Sequence, residues 1–154
     1  MATDEHRCTQ IRKDSKRLKI ATNYFDLACV ERESLNALSE RVIGAVFEVA
    51  NSLGAGFLEK VYEKALLREL ELRGIAARSK VPFSVLYKGL MVGEYFADMV
   101  VEDTLPVELK CAERFGNEHT AQCLNYLKAS GLQLCLLVNF QKTRVEVKRV
   151  VLDA

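Results

Sequence analysis

The chain has 154 residues, about half of them apolar, and a formal charge of +1, which suits one domain with its own core. So small a net charge does not mark a nucleic-acid binder by itself, although a local patch can sit on a neutral protein. The five cysteines form no CxxC pair and there are only two histidines, which argues against a zinc site and for small buried thiols in a reducing cytoplasm.

Residues 1–34 are a composition apart. Arg7, Arg12, Lys13, Lys16, Arg17 and Lys19 crowd a segment poor in apolar residues, which reads as a basic, flexible N-terminal extension. It has no apolar h-region of a secretory signal, and no stretch of the chain approaches the ~20 apolar residues of a membrane span. The expectation is a soluble cytoplasmic protein without a membrane partner.

From Leu35 to Ala154 the pattern is that of one mixed domain. Leu38, Val42, Val46, Val49 and Leu53 form a helical stripe, and Gly54 suits the left-handed residue that ends the helix. A second helix is expected over 57–73, its stripe made by Leu58, Val61, Ala65 and Leu72, with Tyr62, Leu66 and Leu70 beside it. Gly54-Ala55-Gly56 lacks the preceding strand and the Lys-Ser/Thr ending of a phosphate loop, so it reads as a joint between helices. Val81 to Tyr87, the turn Lys88-Gly89, and Met91 to Val101 predict a hairpin. A third strand follows around Glu108, then a helix over 117–130 stopped by Gly131. Leu132 to Phe140 is almost continuously apolar, as in a strand buried on both faces, and Val145 to Leu152 alternates like an edge strand. The order is α-α-β-β-β-α-β-β, a mixed α/β domain whose acid-bearing strands are central.

Two acids stand where a strand normally carries core. Asp98 interrupts the apolar run Tyr95–Val101, and Pro106-Val107-Glu108-Leu109-Lys110 puts Glu108 and Lys110 on one face by its period of two. An ionised carboxylate inside a sheet is costly unless it is paired, hydrogen-bonded or metal-bound. Asp98, Glu108 and the carbonyl of Leu109 are hard oxygen ligands of the kind that hold magnesium or manganese. Such a metal stabilises charge on a phosphodiester and lowers the pKa of a bound water, while a lysine beside it neutralises developing negative charge. The Glu-x-Lys spelling alone carries little, because Glu146-Val147-Lys148 repeats it on a strand where a solvated outer face explains both charges. Asp98 on the adjacent apolar strand is what separates the two. Flanking helices offer further polar groups: Glu59 beside Tyr62 and Glu63, and His119, Gln122 and Tyr126 at i, i+3 and i+7, opposite Ala121, Leu124 and Leu127.

Gly56-Phe57-Leu58-Glu59-Lys60-Val61-Tyr62 spells G-x-x-E-x-x-Y, and GEYFADMVVED, VELK and HTAQCLNYLKASGL follow downstream. From about Leu35 to Leu152 the chain closely resembles the GxxExxY family, a branch of the PD-(D/E)xK nuclease superfamily. The resemblance implies a restriction-endonuclease-like αβββαβ core, with a mixed central sheet flanked by helices. It also implies a catalytic set made of Glu59, Asp98, Glu108, Lys110 and Gln122. Ala97 replaces the Pro of the superfamily's name, which removes no ligand.

The first reading is a magnesium-dependent phosphodiesterase acting on DNA or RNA. Asp98, Glu108 and the Leu109 carbonyl would bind the metal, with Glu59 as a further ligand directly or through water. Lys110 would position the nucleophile, Gln122 would orient water or phosphate, and Tyr62, His119 and Tyr126 would line the pocket. The alternative is a non-catalytic nuclease fold that binds nucleic acid, nucleotide or a partner protein. A homo-oligomer or a protein partner stays open under either reading.

Overall fold

The computed structural model describes residues 24–152, residue 142 excepted. Two compact units divide the chain, residues 1–38 and 39–154. The first 23 residues of the basic extension lie outside the described part. Helix α1 (Tyr24–Leu53) begins well before Leu35, where the apolar stripe starts. Periodicity reports burial and not helicity, and the stretch from Tyr24 to Ile43 contains no glycine or proline to stop a helix.

Within the second unit Val42, Val46 and Val49 are buried as their spacing demands, with Ala45 beside them. Gly54 ends α1 at φ 71°, its N–H donating to the Ala50 carbonyl at 2.9 Å. Helix α2 (Glu59–Leu72) follows, and its buried face corrects the sequence expectation. Leu58, Val61 and Leu72 are exposed, whereas Tyr62, Leu66 and Leu70 are fully buried. Two neighbouring rows of the helix were apolar enough to serve as its inner face. The row containing Tyr62 prevails because its ring stacks on Phe140, centroids 4.4 Å apart, while its hydroxyl donates to the Gly54 carbonyl at 2.6 Å. The largest side chain is thus buried with its polar end satisfied.

Five strands form one sheet in the order β1-β2-β3-β4-β5. Strands β1 (Ala77–Tyr87) and β2 (Leu90–Val101) are the expected hairpin, and Lys88 and Gly89 both take positive φ in its two-residue turn. Strand β3 (Leu105–Lys110) pairs antiparallel with β2 and parallel with β4 (Leu134–Asn139), whose six residues are all buried. Helix α3 (Asn117–Ser130) supplies the crossover that a parallel pair requires, and β5 (Glu146–Val151) closes the far edge. The result is the α/β fold with a mixed sheet and flanking helices that the sequence implied. No helix among the described residues is long and apolar enough to cross a membrane.

The inner face of α3 also differs from expectation. Cys123, Tyr126 and Leu127 are buried, Leu124 is partly covered and Ala121 is exposed. Tyr126, expected on the polar side, turns inward because a buried carboxylate accepts a hydrogen bond from its hydroxyl. Its ring packs with Ala97, Val100, Cys135 and Leu137. Ala97 and Val100 share that cluster although they are three residues apart, so the strict alternation of β2 is broken between them.

The rotated face of α2 gives a direct test by thermal or denaturant unfolding. Leu66→Ala should cost ~2–5 kcal/mol, the range for a fully buried leucine. Leu58→Ala and Leu72→Ala should each change stability by no more than about 0.5 kcal/mol. Comparable losses at all three positions would mean that the helix presents a different face.

Candidate active site

Strands β2 and β3 bring Asp98 and Glu108 together at the middle of the sheet, both buried. Each carboxylate spends one oxygen inward. Asp98 Oδ2 accepts the Leu109 N–H at 2.8 Å, tying β2 to β3 just beyond their last regular pair, Met99 with Val107. Glu108 Oε2 lies 2.8 Å from the hydroxyl of Tyr126 on α3. The outward oxygens face ammonium groups: Lys110 Nζ is 2.9 Å from Glu108 Oε1, and Lys80 Nζ is 3.5 Å from Asp98 Oδ1.

Burial raises the pKa of Glu108, and the charge of Asp98 adds to that rise against the opposing bonds from Lys110 and Tyr126. Glu59, the first residue of α2, is likewise raised by burial and then by Asp98. Lys110 and a hydrogen bond from the Cys111 backbone work the other way. Burial alone would lower the pKa of Lys110, but Glu108, Glu59 and Asp98 outweigh it and the group is raised. Asp98 therefore repels both Glu59 and Glu108, with lysines partly compensating.

Tyr126 lies at the centre of a small network. Gln122 Nε2 donates to its hydroxyl at 2.7 Å, and that hydroxyl lies 2.9 Å from the Phe96 carbonyl as well as beside Glu108. One proton cannot serve two acceptors, and an ionised carboxylate is the stronger. Burial and the adjacent carboxylate both push the phenol pKa far up, so Tyr126 remains a donor. Gln122 thus approaches Glu108 through Tyr126.

The other two residues expected in the pocket hold the frame. Tyr62 is fully buried, and its hydroxyl accepts the Phe57 N–H at 3.2 Å while donating to Gly54, which secures the loop leading into Glu59. His119 stands in the first turn of α3, where Nδ1 accepts the Gly116 N–H at 3.1 Å. The structure therefore gathers Glu59, Asp98, Glu108, Lys110, Tyr126 and Gln122, and gives Tyr62 and His119 partners elsewhere.

Two residues beside this set, Lys80 and Asn139, were not singled out in the sequence, and a third, Glu63, was noted only as a neighbour of Glu59. Lys80 on β1 reaches Asp98, and also Glu63 Oε2 at 3.7 Å. Glu63 is buried on α2 and takes its closer partner, Lys60, at 3.0 Å. Asn139 at the end of β4 accepts the Ala112 N–H at 3.1 Å and donates to the Ala112 carbonyl at 2.7 Å, holding the chain just after Lys110. A buried asparagine ending an apolar strand was the one signal for it. Nothing local marked Lys80.

Among the described residues no three of His, Cys, Asp and Glu lie close enough to form a ready metal cage. The donor chemistry still fits a divalent cation. Two buried, mutually repelling carboxylates each keep one oxygen directed away from the backbone, and both of those oxygens already face a positive charge.

A family model described as the PD-(D/E)XK nuclease superfamily matches residues 36–150. Among solved structures, an alkaline exonuclease from Laribacter hongkongensis is similar at 14% identity and a TM-score of 0.47, over 87% of this chain and 73% of that one. SSO0001 is similar at 15% identity and a TM-score of 0.50, over 96% of this chain; the chain spans 63% of that structure's length. The second likeness speaks for the fold. No curated protein matches the chain.

The raised pKa of Glu59 has a stability consequence with a definite sign. A carboxyl whose folded pKa lies above its unfolded value stabilises the fold fully only below the unfolded pKa, about 4.3, and loses that contribution as pH rises through the folded value. In EDTA, Glu59→Gln should therefore melt higher than wild type at neutral pH, with the gap closing as pH falls towards 4. A gap that widens on acidification would reverse the sign of the shift.

Proposed function

Because the chain belongs to the PD-(D/E)XK nuclease superfamily, we propose that it is a divalent-metal-dependent phosphodiesterase acting on DNA or RNA, of the GxxExxY branch. The observation that carries this reading is the burial of Asp98 and Glu108 side by side, each with one oxygen held by the fold and the other facing a cation. Asp98, Glu108 and the Leu109 carbonyl would hold magnesium or manganese, with Glu59 completing the set directly or through water. When bound, the metal supplies charge stabilisation to the phosphodiester and acidifies a water.

The chain's own residues do the rest. Leu109 N–H and Tyr126 fix one oxygen of each carboxylate, so neither ligand can rotate away. Lys110, on the same face as Glu108, holds the attacking water or hydroxide and offsets negative charge as it builds on the phosphate. Gln122 keeps the Tyr126 hydroxyl directed at Glu108, and its amide oxygen remains to orient water. The free thiols of Cys123 and Cys135, neighbours in the core, suit a reducing cytoplasm, where we place the protein.

The repeated Glu-x-Lys spelling supplies an internal control. Glu108→Gln with Lys110→Met should abolish the rise in melting temperature on adding magnesium. Cleavage of DNA or RNA oligonucleotides should fall by at least ~100-fold. Glu146→Gln with Lys148→Met should leave both close to wild type. For the wild type, magnesium at ~100 times its Kd should stabilise by about 2.7 kcal/mol. A wild type that gains nothing from magnesium or manganese and cuts no nucleic acid would point to a non-catalytic binding module.

A further inference from the structure

Lys80 owes its place to two irregularities in the hairpin. If pairing ran unbroken back from the turn at Lys88-Gly89, Asp98 would face Ser79. The register shifts by one residue between Val85 and Leu86, so that Ser79 pairs with Met99, Val81 pairs with Ala97, and Lys80 falls opposite Asp98. The second irregularity is local. Lys80 has φ 55°, a conformation that L side chains rarely adopt. Among the described residues the other non-glycine positions with positive φ are Lys88, Glu102 and Asp103, which lie in turns; Lys80 lies within a strand. Left-handed backbone in the middle of a strand, at the residue facing a buried carboxylate, is the kind of strain that functional sites retain.

The side chain is also unlike its neighbour Lys110. It is 57% exposed, and its ammonium bridges Asp98 Oδ1 and Glu63 Oε2 at 3.5 and 3.7 Å. The oxygen it covers is the one that Asp98 does not spend on the Leu109 N–H. A divalent cation on Asp98 would need that oxygen and would repel the ammonium from it. The long, exposed stem leaves Lys80 free to move outward, and an anionic substrate strand would lie on that side. A groove between α2 and the start of β1 reaches Ser79, the residue before Lys80; it is lined by Lys64 and by Arg68, the latter paired with Glu71 at 2.7 Å in the same lining.

We propose that Lys80 is a substrate-binding residue of this site, its ammonium resting on the free oxygen of Asp98 and passing to a phosphate oxygen of the nucleic-acid strand once that oxygen is given up to a divalent cation. The inference rests on the nuclease reading, and adds a second lysine on the Asp98 side to the one already placed at Glu108.

Lys80→Gly tests it, because glycine suits the left-handed backbone and removes only the side chain. Binding would be measured by anisotropy with fluorescent phosphorothioate oligonucleotides that resist cleavage, in magnesium, across a salt series. Magnesium affinity would be measured separately by calorimetry without nucleic acid. The expected result is weaker oligonucleotide binding, with the slope of log K against log salt smaller by about one. Lys80→Arg should restore the slope. Magnesium affinity should be unchanged or tighter. A lysine kept only as a structural partner of Asp98 would instead give a lower melting temperature and an unaltered slope, which overturns the proposal. So would a loss of magnesium affinity, which would make Lys80 an orienting group for Asp98. A wild type that binds no oligonucleotide removes the nuclease reading as well, whereas binding with an unchanged slope removes the Lys80 assignment alone.

Discussion

The desolvation of two carboxylates on adjacent strands is the constraint on which this site depends. Asp98 and Glu108 are both buried in the sheet, and charge there is stable only if each oxygen has a partner. The fold supplies partners of two kinds. The inner ones are immobile: a backbone N–H of β3 and the phenol of Tyr126. The outer ones are lysine ammoniums on flexible stems, Lys110 and Lys80. Among the described residues no buried side-chain polar atom lacks a partner, so the cluster carries charge repulsion but no missing hydrogen bond.

This division shapes the surrounding structure. Tyr126 must turn inward to reach Glu108, which rotates the buried face of α3 and leaves Ala121 exposed. Gln122 follows, one turn earlier on the same helix, and binds the phenol. On the other side, α2 is held by the stack of Tyr62 on Phe140, with the Tyr62 hydroxyl clamping the loop that delivers Glu59. Asn139 fixes the chain after Lys110 from the neighbouring strand. Tyr62 and Asn139 thus hold the site in shape, and their partners are loop and backbone atoms rather than the acids.

Much of the site was legible because its residues break a local rule. An aspartate in an apolar strand and a Glu-x-Lys face on the next strand are visible without any tertiary information, as are Gln122 and Tyr126 one helical turn apart. Lys80 and Glu63 break no such rule. A lysine near the start of a strand and a glutamate on a helix of mixed charge are ordinary in sequence. Lys80 became part of the site through a one-residue register shift several positions away, and a shift of one residue changes which side chain stands opposite another.

The sequence by itself determined the order of elements, the strands that carry the acids, the place of those strands inside the sheet, and the glycine stops at Gly54 and Gly131. These follow from periodicity and backbone preference, which act over a few residues. Only the tertiary structure decided which of two apolar rows on α2 is buried, that Tyr126 points in rather than out, and that Lys80 opposes Asp98. Each of those choices compares the burial of one surface with the burial of another. The comparison turns on partners far along the chain: Phe140 for Tyr62, Glu108 for Tyr126, and the shifted pairing of β1 with β2 for Lys80.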